Sequence, residues 1–176
     1  MNRNLIRHLA GATMVLLVAS TLLAGCDAQQ SGEKQMKFVN VDKVLVESGL
    51  AKQEQDYLKA VNESLQKGQQ LAEKSYSGLP ADKVATARQA DKNVLSQQWE
   101  AQKRTARNVV GAAMKKATDA YRSDNKIDVI MPTQTVLSID PELDVSADLI
   151  AKLKTTQLDF GKVPEITLKA NGPVKE

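Results

Sequence analysis

The chain has 176 residues, with 24 basic and 21 acidic side chains, one histidine, one cysteine and an aromatic share of only 3%. A single thiol excludes an internal disulfide, and the nine glycines nowhere form GxxxxGK[ST], which excludes a P-loop. The only histidine, His8, precedes a long uncharged run and leaves with it if that run is cleaved. A processed chain then has no imidazole for a Ser-His-Asp triad or a His-ligated zinc; no metal, no cofactor and no enzymatic activity are expected, with carboxylate- or lysine-based catalysis the alternative that no motif supports.

Arg3 and Arg7 open the chain, an uncharged stretch runs from Leu9 to Ala24, and small residues lead to Cys26. That is the layout of a secretory signal over residues 1–25. A membrane-spanning helix wants about 20 apolar residues, so a cleaved signal is the better reading. The tetrapeptide Leu23-Ala24-Gly25-Cys26 resembles the lipobox of bacterial lipoproteins. The resemblance implies that Cys26 is acylated and becomes the first residue of the mature chain. Each buried methylene contributes about 0.8 kcal/mol, so several acyl chains hold a protein at a membrane nearly permanently. Asp27 is similar to the second-position signal that keeps enteric lipoproteins in the inner membrane. The expected location is therefore the periplasmic side of the envelope, lipid-anchored, with the inner membrane favoured over the outer. Residues 26–36 read as the lipidated N-terminus and a flexible linker. Loss of Arg3 and Arg7 leaves 22 basic against 21 acidic side chains, nearly neutral.

"KFVNV" (37–41) follows with strand character. From Lys43 to about Tyr76, Leu50, Tyr57, Leu58, Val61, Leu65 and Ala72 recur at helical spacing, with Gly68 interrupting the stripe. Gly78 ends this helix and Pro80 suits the first turn of the next. The second helix is predicted from Ala81 to Ser123, with an apolar stripe of Val84, Ala87, Val94, Leu95, Ala106, Val109, Ala113, Ala117 and Ala120. At 1.5 Å per residue the arms would be roughly 50 and 65 Å long, and so short a connection forces them antiparallel. Residues 43–123 thus read as a projecting helical hairpin, with a four-helix bundle as the alternative. Trp99, Tyr57 and Tyr76 are expected between the helices, where their rings find apolar cover.

After the hairpin come "IDVIM" (127–131) and "TVLSI" (135–139), two more strand-like stretches. Ile127, Val129 and Met131 would share one face, as would Thr135, Leu137 and Ile139, with Pro132 between the strands. "DVSADLIAKL" (144–153) predicts a short amphipathic helix capped by Asp144 or Ser146. The fold class is α+β: a long antiparallel hairpin on a small β body built from 37–41 and 127–154. Three short strands and one small helix bury little apolar surface alone, so oligomerisation is the natural remedy. The tail 155–176, with Gly161, Pro164, Gly172 and Pro173, is expected to be flexible, although "EITLK" (165–169) could add an edge strand.

"FVNVDKVL", then a long hairpin of Ala/Gln/Lys-rich helices, then "IDVIMPTQTVLSIDPELDVSADLIAKL" resembles the Skp (OmpH-like) periplasmic chaperones, over about 37–154. The resemblance implies a coiled-coil homotrimer in which strands from three chains form one small barrel and three hairpins enclose a cavity. Phe38, Val39, Val41, Ile127, Val129, Met131, Leu137 and Ile139 would then supply the trimer body. It further implies an ATP-independent holdase whose partners are unfolded outer-membrane or periplasmic proteins, here as a lipoprotein variant, with no role for nucleic acid. Charge on the arms is uneven: residues 42–77 carry five basic and six acidic side chains, residues 81–126 ten and five. Lys103, Arg104, Arg107, Lys115, Lys116, Arg122 and Lys126 make a basic face suited to acidic clients or anionic lipid; a merely solvated helix face is the plain alternative. The function from another class is a structural or adaptor lipoprotein whose coiled arms dock one specific envelope partner.

Overall fold

In the computed structural model, which describes residues 34–167, strand β1 (Met36–Val39) leads through helices α1 (Val41–Glu47), α2 (Leu50–Ser75) and α3 (Ala81–Asp124) to strand β2 (Val129–Pro132) and helix α4 (Ser146–Leu153). The signal segment, Cys26, Asp27, the linker as far as residue 33 and residues 168–176 lie outside the described residues. Among the described residues no helix is long and apolar enough to cross a membrane.

The hairpin is as expected in kind: α2 ends in a 3-10 turn at Tyr76–Gly78, and Pro80, with φ −56°, caps α3. At 1.5 Å per residue α2 is about 39 Å long and α3 about 66 Å. The first arm is shorter than its sequence predicts because the helix is broken at Gly49. The Ser48 N–H donates to Val44 O and the Gly49 N–H to Val46 O, closing α1; Gly49 then turns to φ 84°. A residue with a Cβ loses about 1–2 kcal/mol in that left-handed conformation, which makes glycine the residue for the break. Freed from the arm, α1 lies against α4.

β1 and β2 pair in parallel, with Met36 opposite Val129 and Phe38 opposite Met131. Parallel strands need a long crossover, and the whole hairpin is that crossover. Beneath the sheet, Val39, Val44, Leu50, Val110, Met114, Val145, Leu149 and Leu153 form one buried cluster to which β1, all four helices and the approach to α4 contribute. The start of α4 is stitched to β1: the Val145 N–H donates to Phe38 O at 2.9 Å and the Asn40 N–H to Ser146 Oγ at 2.8 Å. Neither expected cap stands at the helix start: Val145 is the N-cap and makes no side-chain cap, while Asp144 Oδ1, one residue earlier, accepts from the Ser146 N–H at 2.8 Å.

Several expectations are corrected. Val41 is not in a strand: Asn40 Oδ1 accepts from the Lys43 N–H at 3.0 Å, so the helix starts there and Val41 becomes its first residue. "TVLSI" forms no strand. A 3-10 turn at Thr133–Thr135 is followed by irregular chain in which Leu137 is fully exposed and Ile139 half-buried. Alternation makes a strand only where another strand's backbone groups pair with it, and among the described residues the one sheet holds β1 and β2 alone. Of Ile127, Val129 and Met131, expected on one face, Val129 and Met131 alternate together in β2, but Ile127 precedes the strand and is buried; Val129 is 41% exposed, and it is Ile130 that meets the core. On α3 the expected Ala106 is buried in the seam and Ala117 packs against the core, but Val110 and Met114 are buried in place of the expected Val109 and Ala113, one position earlier.

Beyond Lys154 the expectation of a loose tail is overturned as far as residue 167. Leu158 and Phe160 pack on the body, and Phe160, Val163 and Ile166 pack on a second cluster of Tyr57, Val61, Leu65 and Ala106 along the hairpin. The segment is irregular, as its Gly and Pro content suggests, yet it is held, and residues 165–167 form no strand.

Candidate polypeptide-binding surface of the hairpin

A thin pair of helices buries each seam residue on one side only, and a third layer is needed to cover the rest. Residues 155–167 supply it along α2. The Phe160 ring stacks on Tyr57 with centroids 4.8 Å apart and planes 15° from parallel. Gln53 grips the backbone from both sides: its Nε2 donates to Thr156 O at 2.9 Å and its Oε1 accepts from the Leu158 N–H at 2.9 Å. Farther along, the Ser64 hydroxyl donates to Pro164 O. Ile166 sits on Gly68, where an added Cβ would lie 2.5 Å from Ile166 Cγ2 and 2.6 Å from its Cβ. Gly68, which reads as an interruption of the apolar stripe, is therefore a buried notch in it. Sequence reasoning did not single out Gln53, Ser64, Phe160, Val163 or Ile166. The available signal was the recurrence of apolar residues at 160, 163 and 166 within a polar segment.

The basic residues of α3 do not form one free face. Arg107 Nε stands 3.3 Å from Glu54 Oε1, and Glu54 is buried on α2, so this cation neutralises a carboxylate within the fold. Lys103 pairs with Glu100 at 2.8 Å and lies 5.6 Å over the Trp99 ring. Lys115 pairs with Asp119, and Arg122 donates to Ile127 O at 3.3 Å. Arg104 and Lys116 are exposed and make no ion pair among the described residues; Lys126 is exposed just beyond α3 with φ 55°. Trp99 is half-buried as expected, one side on the Tyr57 cluster and the other lining an open groove of about 590 Å³ with Glu54, Leu58 and Arg107.

Of the residues expected in a shared body, Phe38, Val39 and Ile127 are buried within the single chain, Val41 and Met131 are half-buried, and Val129 and Leu137 are exposed. Met36, opposite Val129 in the sheet, is 44% exposed, so that corner presents apolar side chains to solvent.

All three tyrosines are harder to ionise in the fold than free in solution. The Tyr76 hydroxyl donates to Asp91; that bond, with burial and the negative charge of Asp91 and Glu73, pushes its pKa up to about 12 against the opposing charge of Arg88. Tyr121 donates to Asp148 and is likewise pushed up to about 12. Burial raises Tyr57. These phenols hold their protons more tightly folded than unfolded, where pKa is about 10. Their contribution to stability is complete below pH 10 and is lost as pH climbs from about 10 to 12. Phenolate absorbance should therefore appear late and together with loss of helix; Asp148→Asn should advance it for Tyr121. Ionisation of all three tyrosines near pH 10 with helix intact would refute this.

No family model matches the chain, and no curated protein matches it. Among solved structures it is similar to an OmpH-like outer membrane chaperone from Caulobacter crescentus CB15, at 12% identity and a TM-score of 0.36, over 69% of this chain and 85% of that one.

Proposed function

We propose that this protein is a lipid-anchored periplasmic holdase that binds unfolded outer-membrane or periplasmic proteins without ATP. The observation that carries this reading is the extended stretch 155–167 lying along α2, held by apolar side chains and by backbone hydrogen bonds from Gln53 and Ser64. A surface that holds its own chain in irregular, extended form has the chemistry to hold another. The sequence resemblance to the Skp (OmpH-like) chaperones supports the same reading. The purified protein should suppress aggregation of several unrelated unfolded β-barrel proteins at near-stoichiometric ratios. Binding of one folded protein with definite stoichiometry, and no suppression, would instead identify an adaptor.

The basic arm is tested separately. Changing Lys103, Arg104, Lys115 and Lys116 to Glu, with Arg107 kept for Glu54, removes only exposed pairs worth about 0–1 kcal/mol each, so the fold should persist. Binding of anionic vesicles or acidic clients should weaken severalfold, and wild-type binding should fall as salt shortens the Debye length to about 10 Å at 0.1 M. Full binding by the reversed protein at low salt would leave the apolar groove as the holding surface.

The working unit in this reading is a homotrimer, joined through the sheet corner where Met36 and Val129 are exposed, with Leu137 nearby in sequence. Light scattering should give about three times the chain mass. Val129→Asp leaves a single chain nearly unaffected, since Val129 is already 41% exposed, but would place an unpaired charge in a shared barrel. The expected result is a folded monomer. A wild-type monomer, or a mutant of unchanged mass, would refute the trimer.

A further inference from the structure

We propose that the groove along α2 is a binding site for extended apolar segments of other polypeptides, and that residues 155–167 are its resident competitor, which a client segment must displace. The inference rests on the holdase reading for the identity of the client alone. Its first support is the Gln53 amide, which donates to one backbone carbonyl and accepts from the backbone N–H two residues on. That fork reads an extended backbone rather than any side chain, so it tolerates many sequences. The second support is apolar: Phe160 stacks on Tyr57, and Val163 and Ile166 pack on the same cluster of Tyr57, Val61, Leu65 and Ala106. The third is shape. The notch over Gly68 takes a branched aliphatic side chain so closely that one methyl on the helix would collide with it.

These features define the ligand class: an extended segment with an aromatic residue followed at three and six positions by aliphatic ones. They also make the resident segment exchangeable. It has no regular structure, its three anchors are only half-buried, and Thr155, Gln157, Asp159, Gly161, Lys162, Glu165 and Thr167 between and around them face solvent. The residues beneath, Tyr57, Val61 and Leu65, are by contrast almost wholly buried. A tethered occupant competes at an effective concentration of about millimolar, so free segments see a mostly closed groove.

The test is a labelled peptide of sequence TTQLDFGKVPEIT, residues 155–167, titrated by fluorescence anisotropy onto the full chain. Phe160→Ser with Ile166→Ser loosens the resident segment and leaves the groove intact. This variant should bind the peptide at least tenfold more tightly than wild type does. Equal affinity for the two proteins, with helix content unchanged by circular dichroism, would overturn the proposal. Gly68→Ala, added to the loosened variant, favours helix and so cannot be confused with unfolding. It should weaken the peptide about tenfold while accepting equally well a peptide with Gly in place of the isoleucine, since an added Cβ at position 68 would already meet the Cβ of Ile166 at 2.6 Å; no change in preference would also overturn the site. Aggregation of unfolded barrel proteins separates the two readings. Peptide binding without suppression by any variant leaves the groove and removes the holdase. Suppression that the peptide does not compete, equal in loosened and wild-type chains, removes the groove and leaves the holdase.

Discussion

On the proposed lipoprotein reading, Cys26→Ser should release the protein from the membrane fraction or leave it as uncleaved precursor. The expected effect is all-or-none, because attachment would come from acyl chains rather than from the folded unit. A single myristoyl-length chain binds a bilayer with a constant of only about 10⁴ M⁻¹, whereas two or more chains make release negligible. Removing the sulfur removes every chain at once, and the described residues offer no membrane-length helix in compensation. Fractionation of cells expressing wild type and variant, with labelled palmitate incorporation, reads the result. Unchanged membrane association and label would refute the lipoprotein reading. Asp27→Ser should move the anchored protein toward the outer membrane in an enteric host; equal distribution would discard the sorting role of Asp27 and leave the anchor untouched.

Leu149→Ala should cost about 2–5 kcal/mol, and Leu149→Asp should prevent the body from folding. Leu149 has no exposed surface and sits in the cluster with Val39, Val44, Leu50, Val110 and Met114, so its loss opens a cavity where sheet, arm and α4 meet. A carboxylate there would have no partner among these aliphatic side chains. Domain stabilities are only about 5–15 kcal/mol, so the alanine variant alone should shift a urea midpoint by roughly 1–2 M at ordinary slopes. Equilibrium urea unfolding followed by far-ultraviolet circular dichroism measures it. A midpoint within 0.3 M of wild type, as an order-of-magnitude bound for surface substitutions, would mean that the cluster is not the core.

Much of the architecture was legible in the chain. The helical spacing of Tyr57, Val61, Leu65 and Ala72, the stop at Gly78-Leu79-Pro80 and the amphipathic run of Leu149 and Leu153 are local patterns, and local patterns decide helices whose seam residues recur every three or four positions. The order of strand, hairpin, strand and short helix followed from the same reading, which also placed a further strand at 135–139 that does not form. Near-neutral charge and the lone Cys26 behind an apolar run likewise belong to the sequence itself, with no folding needed to see them.

What only the tertiary structure decided concerns partners distant in the chain. Whether "TVLSI" is a strand depended on a neighbouring backbone, and among the described residues it pairs with no strand. Whether Arg107 is a free cation depended on Glu54, fifty-three positions earlier and buried. Gly68 reads as a defect until Ile166 is found upon it, and Phe160 reads as a stray aromatic until Tyr57 is found beneath its ring. Periodicity reports the face a residue shares with its near neighbours. It carries no record of which remote segment will cover that face, because coverage is set by where short-range elements bring the chain in space: here the tail returns along α2, and an apolar seam that two helices cannot close becomes a filled groove.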